Sequence, residues 1–261
     1  MAKGTRSAAD GPRLPKWVSA TIGVVVLLVL WQLIGLYWNQ KGSIPPPTDV
    51  IKQMNDDGFD FYWANAKVTL WEAARGYFWG NLFAIVIALI VVIIPFLEKP
   101  LLSLGIAAYC VPIIAIGPIL QITFDGQTPK VILAALAVFF TTLVGTVLGL
   151  RSSDGTTLDV IRAYGGGRTK QLTKVRLRAA LPSLFAALRI AAPAAVLGAI
   201  IGEYLGAESG LGVAMINSQQ ALMIERTWAI ALVATFIAGF AFLIIAMLGK
   251  AATPWAPKSY R

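Results

Sequence analysis

The chain has 261 residues, of which 57% are hydrophobic and 13% are charged, whereas soluble domains carry about 25% charged residues. Its net charge of +9 does not indicate a nucleic-acid-binding protein, because the basic residues flank long apolar runs. Histidine is absent and cysteine occurs once, at Cys110, which argues against a metalloenzyme, a histidine-dependent hydrolase and a disulfide framework. The composition predicts an all-α polytopic membrane protein with no catalytic residue and no metal site.

The chain opens with a basic segment, residues 1–16, which is typical of a disordered cytoplasmic tail. The apolar run that follows, residues 18–37, spans a hydrocarbon layer of about 30 Å at about 1.5 Å per residue. A signal peptide is the alternative, but this run is longer than a signal-peptide core and no small-residue cleavage site follows it. We therefore expect a first membrane helix with Trp17, Tyr37 and Trp38 at the interfaces.

Residues 39–67 are polar, and three consecutive prolines at 45–47 predict extended backbone there. Five further apolar runs predict membrane helices at residues 78–94, 101–122, 131–150, 184–205 and 228–248. Together with the first run they form six transmembrane helices in a single domain, residues 17–250, which is followed by a basic tail, residues 251–261.

Both termini are predicted to be cytoplasmic, because Lys and Arg concentrate on one side of the membrane. Fifteen of these residues lie on the side that holds the termini and residues 151–178, against five on the opposite side.

Four positions are candidates for a translocation path: Pro112, Pro118, Arg189 and Glu203. The two prolines, together with Pro193, are predicted to break helices near mid-membrane, where transporters expose backbone groups to substrate. A kink satisfied by neighbouring helices is the alternative. Arg189 either extends to the cytoplasmic head groups or lines an anion path. Glu203 caps or gates the outer end of its helix or contacts substrate, and it lies about 21 Å from Arg189 along that helix.

A basic loop, residues 151–182, separates the fourth and fifth apolar runs. It contains a helical stretch, residues 158–164, three glycines at 165–167, and a second helical stretch, residues 169–181, which Pro182 is predicted to end. The glycines permit a sharp turn and close approach by another surface. The charge alone fits equally well a solvated loop that contacts membrane lipid head groups.

The loop resembles the coupling loop of ATP-binding-cassette (ABC) importer permeases. Their pattern is Glu-Ala-Ala, three residues, Gly, nine residues, an aliphatic residue, any residue and Leu-Pro. The matches are Gly165, Val175 and Leu177, and the departures are Asp159 for Glu, Val160 and Ile161 for the alanines, and Arg178 for the proline. The string Glu72-Ala73-Ala74 is not this motif, because neither the glycine nor the Leu-Pro follows it.

The resemblance extends over most of the chain and is closest to permeases for aliphatic sulfonates, taurine and nitrate. The matching positions are the prolines 45–47, Thr69-Leu70, Gly76-Tyr77, Pro112, Ala115, Pro118, Phe124, Leu188-Arg189, Glu203 and Gly210-Leu211-Gly212. Ile119 and Asp125 depart from the family pattern.

The resemblance implies a type I ABC importer permease-like bundle in a bacterial inner membrane. Such a permease pairs with a second copy or a paralogue, two ATPase subunits and a periplasmic or lipid-anchored solute-binding protein. The coupling residues would be Asp159, Val160, Ile161, Ala163, Tyr164, Gly165, Gly166 and Arg168. ATP and Mg²⁺ would be used by the partner ATPase and no cofactor by this chain, which lacks a Gly-x-x-x-x-Gly-Lys-Ser/Thr loop. The solute is left open.

Two other classes of function are alternatives to an importer permease. An ion-coupled secondary carrier would act without an ATPase, but no internal inverted repeat is visible, and Glu203 is the sole acid well inside a predicted helix. A membrane-embedded enzyme or scaffold is the other class. The sequence indicates neither paired carboxylates at membrane depth nor a nucleophile with an adjacent base, which argues against an enzyme.

Overall fold

The structure is a computed structural model that describes residues 15–38 and 44–256. Every regular element in these residues is helical, as predicted. The helices are α1 (Lys16–Trp38), α2 (Pro47–Ile93), α3 (Glu98–Cys110), α4 (Ile113–Thr123), α5 (Thr128–Arg151), α6 (Gly155–Ala163), α7 (Arg168–Gln171), α8 (Leu177–Tyr204), α9 (Leu211–Gln220) and α10 (Ile224–Ala252). A 3-10 turn, Pro95–Leu97, precedes α3, and a π-helical segment, Leu172–Arg176, joins α7 to α8. The predicted tails lie largely outside the described residues, as do the side chains of Trp17 and Trp38.

Four helical stretches are long and apolar enough to cross a membrane: Pro47–Ile93, Thr128–Arg151, Arg168–Tyr204 and Ile224–Ala252. Two shorter apolar helices, Thr21–Tyr37 and Ile113–Thr123, overlap the first and third predicted spans. A polytopic membrane protein follows from these lengths. The count of six spans and the cytoplasmic termini stay predictions.

Helix α2 begins earlier than the sequence pattern indicates. Backbone at Pro46 is extended, but Pro47 already occupies the first turn of the helix, where its missing N–H costs no hydrogen bond. The polar segment is therefore helical from Pro47, with one interruption at Gly58, whose φ is 75°. Beside this kink, Asp57 accepts a hydrogen bond from Arg226 Nε at 2.9 Å, which ties α2 to the start of α10.

The core is built around α5, which packs between α2 and α8. Small residues permit this close packing, as is common between membrane helices. A Cβ at Gly198 of α8 would lie 2.7 Å from the Cα of Ala134, and one at Gly80 of α2 would lie 2.5 Å from the carbonyl oxygen of Ala135. Ala134 and Val138 of α5 are fully buried. These contacts hold α2 and α8 against α5, and α2 and α8 also contact each other.

Replacing Gly80 by Leu is expected to destabilise the bundle by about 2 kcal/mol, because overpacking a close helix contact displaces backbone. The matched control is Gly239→Leu in α10, where an added Cβ meets no atom within 4 Å. Thermal midpoints of the purified variants in detergent measure the difference. Equal midpoints for the two variants would contradict the close approach of α2 and α5.

The prolines affect the helices unequally. Val111 and Pro112 have extended backbone, so the third predicted span is divided into α3 and α4 as the break at Pro112 predicts. Pro118 and Pro193 lie inside α4 and α8, and the predicted breaks there are wrong. The predicted stop at Pro182 is also wrong, because α8 continues through it. A proline removes one helical hydrogen bond but has a helical φ, and packing of α8 against α5 maintains the helix.

Candidate functional site

The predicted coupling residues form α6 and the turn that follows it. Asp154 caps the start of α6, where its carboxylate accepts a hydrogen bond from the Thr157 N–H at 3.2 Å. At the other end, the Gly165 N–H donates to the carbonyl of Arg162 at 2.9 Å and the Gly166 N–H donates to that of Ile161 at 2.8 Å. This bonding pattern is a Schellman motif, and the φ of 72° at Gly165 is the left-handed conformation it requires.

Helix α6 has no buried residue. Val160 and Tyr164 are 53% and 87% exposed, and their spacing of four residues places them on the same side of the helix. Asp159 and Arg162 form an exposed ion pair at 3.0 Å. Ile161 is half-buried. An apolar, exposed surface on a short helix beside the bundle is suited to docking a partner.

A small set of contacts attaches α6 to the bundle. The side chain of Gln171, which is buried, donates a hydrogen bond from Nε2 to the carbonyl of Leu158 in α6 at 3.3 Å. The next residue, Leu172, is buried in a cluster with residues of α2, α5 and α8, among them Val91 and Leu150. Arg168 begins α7, directly after the glycine turn, and is exposed. These contacts connect α6 to α7 and, through Leu172, to a cluster formed by α2, α5 and α8.

The four translocation-path candidates lie apart. Arg189 is half-buried on α8 and lines a crevice with Lys250 and Thr253 near the end of α10. Glu203 lies fourteen residues further along α8, about 21 Å away. Pro112 lies at the α3–α4 break and Pro118 within α4. The structure does not gather these residues into one binding site within a single chain.

Glu203 lies at the end of the bundle opposite α6, where it connects α8 to α2 and α9. Its carboxylate is 1% exposed and accepts hydrogen bonds from Thr69 Oγ1 of α2 and from the N–H of Gly212, both at 2.6 Å. Thr69 Oγ1 in turn accepts from the N–H of Leu211 at 2.9 Å. Since Gly212 and Leu211 lie in the first turn of α9, Glu203 and Thr69 satisfy backbone donors that have no partner within that helix.

Sequence reasoning missed Glu72. This residue of α2 is 1% exposed, its carboxyl group lies beside that of Glu203, and buried Lys130 acts electrostatically on both. The expectation of no paired carboxylates at membrane depth is therefore wrong. A signal was present in the sequence: Asn65, Thr69 and Glu72 follow one another at spacings of four and three, which places them on one face of α2.

Comparison with known proteins places these features in context. The model of a family described as "Binding-protein-dependent transport system inner membrane component" matches residues 69–255. The chain is 30% identical to a probable ABC transporter permease protein of Haemophilus influenzae, over 80% of this chain and 86% of that protein. It is 28% identical to a formylaminopyrimidine transport permease protein of Halalkalibacterium halodurans, over 74% and 77%. It is 25% identical to a putative aliphatic sulfonates transport permease protein of Bacillus subtilis, over 82% and 78%.

Proposed function

Because this chain belongs to the family of binding-protein-dependent transport system inner membrane components, which are ABC transporter permeases, we propose that it forms the translocation path of an ATP-driven importer. The observation that carries the proposal is α6, a helix without buried residues beside a bundle of apolar helices, with Val160 exposed on it and Tyr164 exposed at its C-cap. In this role α6 docks into a groove of a partner ATPase.

In this proposal, ATP hydrolysis by partner ATPase subunits supplies the energy for transport. Two ATPase subunits bind ATP and Mg²⁺. In this chain, the glycines at residues 165–167 end α6 through backbone hydrogen bonds.

The permease pairs with a second copy or a paralogue. A periplasmic or lipid-anchored binding protein delivers the small solute to the end of the bundle that holds Glu203. The excess of Lys and Arg on the α6 side supports an orientation in a bacterial inner membrane with α6 and both termini in the cytoplasm.

Coupling between the two ends follows from the helix that joins them. Residues Arg168–Tyr204 form one continuous helical stretch of 37 residues, which is about 55 Å long. Its first turn holds α6 through Gln171, and its last turn holds α9 through Glu203. Closure of the ATPase pair moves α6, and α8 carries that displacement to the opposite end. The bundle thereby alternates between inward and outward openings, a two-state transition biased by nucleotide.

Purification of the tagged chain from its native membrane tests this function. An ATPase subunit is expected to co-purify, and solute uptake by the reconstituted complex is expected to require ATP and to be insensitive to ionophores. An ion-coupled carrier, the alternative, would transport without an ATPase and would stop when an ionophore collapses the ion gradient. Uptake by the purified chain alone would overturn the importer proposal.

A further inference from the structure

A polar cavity of about 330 Å³ lies between α6 and the bundle. Four of its lining residues are arginines: Arg151, Arg162, Arg168 and Arg176. We name this space the arginine cavity. Its apolar wall consists of Val91, Val92 and Ile93, which end α2. The arginines thus come from three different elements, α5, α6 and the α7–π segment, and converge at the end of a membrane-spanning helix.

The cavity carries an uncompensated positive charge. Arg151 is paired with Glu98, which also lines the cavity, and Arg162 is paired with Asp159 on α6. Within the described part of the chain, no acidic residue forms an ion pair with Arg168 or Arg176. The guanidinium groups of Arg168 and Arg176 therefore leave two positive charges without a carboxylate partner at the cavity. Like charges held this close together repel one another, and a bound anion relieves that repulsion.

The π-helical segment aligns these arginines. In a regular α-helix, two residues eight apart point about 80° away from each other. The wider turn at Leu172–Arg176 reduces this angle, so Arg168 and Arg176 line the same cavity. Such π segments are often associated with functional sites. Gln171, between the two arginines, also lines the cavity and donates to Leu158 of α6.

We propose that the arginine cavity binds the phosphate group of an anionic phospholipid from the leaflet that faces α6. Guanidinium groups bind phosphate through paired hydrogen bonds, and basic pockets between membrane helices accept anionic head groups. Beside the cavity, Ile93, Ile94 and Phe96 are 39%, 45% and 86% exposed and offer an apolar surface for the acyl chains. The bound phosphate bridges the ends of α5, α6 and α7 and so holds α6 against the bundle. The site needs a membrane but no ATPase, so it stands independently of the proposed function.

The test measures lipid binding to the full-length purified chain in detergent. Short-chain phosphatidylglycerol, short-chain phosphatidylcholine and inorganic phosphate are titrated separately, and the rise in thermal midpoint gives an apparent Kd for each. Phosphatidylglycerol is expected to bind best. The double variant Arg168→Gln, Arg176→Gln is expected to weaken phosphatidylglycerol binding at least about tenfold, because it removes two charge-assisted contacts.

The matched control is the double variant Lys170→Gln, Lys174→Gln, which removes the same charge from exposed positions of the same segment outside the cavity. It is expected to change the affinity less than about twofold. Equal losses in both double variants would overturn the proposal in favour of diffuse surface charge. Inorganic phosphate binding as tightly as the lipid would overturn the lipid as the source of the phosphate.

A protein partner is the remaining alternative, and the same variants decide it. Unchanged lipid binding by Arg168→Gln, Arg176→Gln together with loss of the co-purifying ATPase would overturn the proposal and assign these arginines to the protein interface. If that variant fails to fold, the double variant Arg168→Lys, Arg176→Lys replaces it. This variant retains the charge but loses the planar guanidinium groups that bind phosphate through paired hydrogen bonds. It is expected to bind phosphatidylglycerol more weakly than the wild type, and unchanged binding would overturn the proposal.

Discussion

The double variant Val160→Asp, Tyr164→Ala is expected to lose the ATPase subunit on purification while its helix bundle stays folded. Both side chains are exposed, Val160 on α6 and Tyr164 at its C-cap, so their replacement removes no contact from the core of the chain. In the complex they would be buried, at about 2 kcal/mol each. The affinity for the ATPase is therefore expected to fall about a thousandfold.

The control for this variant is a substitution of an exposed apolar residue at the opposite end of the bundle. Leu222, between α9 and α10, is 82% exposed, and Leu222→Asp is expected to retain the ATPase. The ratio of ATPase to permease after affinity purification measures the effect, and thermal midpoints verify that each variant is folded. A folded double variant that still retains its ATPase would exclude α6 as the docking element.

Glu203→Ala is expected to give a large loss of stability. The change leaves the buried Gly212 N–H without its acceptor and leaves the Thr69 hydroxyl only the more distant carbonyl of Asn65, at 3.4 Å. Each unsatisfied buried group costs about 1–3 kcal/mol. For a chain of this size, the loss corresponds to a thermal midpoint lower by on the order of 10 °C.

Two further variants separate the hydrogen bonds of Glu203 from general effects on its helix. Glu203→Gln retains one carbonyl acceptor and the side-chain shape, and is expected to lose about half as much stability. Glu208→Ala removes an exposed carboxylate from the following loop and is expected to leave the midpoint unchanged. A midpoint for Glu203→Ala equal to that of Glu208→Ala would contradict the anchoring of α9 by Glu203.

The features that the sequence predicted correctly are local. Apolar runs predicted the helices, and three glycines after a short helical stretch predicted the turn that ends α6. The break at Pro112 was also predictable, because a proline disfavours helical backbone at the residue before it, and Val111 is extended.

The features that the sequence did not predict depend on partners distant in the chain. Helix α8 continues through Pro182 because it packs against α5. This packing cannot be predicted from the residues around Pro182. Glu72 pairs with Glu203, a residue more than a hundred positions away. The arginine cavity requires the register shift of the π segment, which has no simple residue pattern. Long-range packing, not propensity, decided each of these cases.

The uninterrupted helix from Arg168 to Tyr204 has a thermodynamic consequence for the proposed transporter. A rigid element that joins two binding surfaces couples them reciprocally, and the coupling free energy is the same in both directions. If nucleotide in the ATPase pair changes the affinity of the outer face for its delivery protein by some factor, docking of that protein changes nucleotide affinity by the same factor. In the proposed transporter, the helix that carries the displacement of α6 outward would therefore also convey docking of the delivery protein to the ATPase.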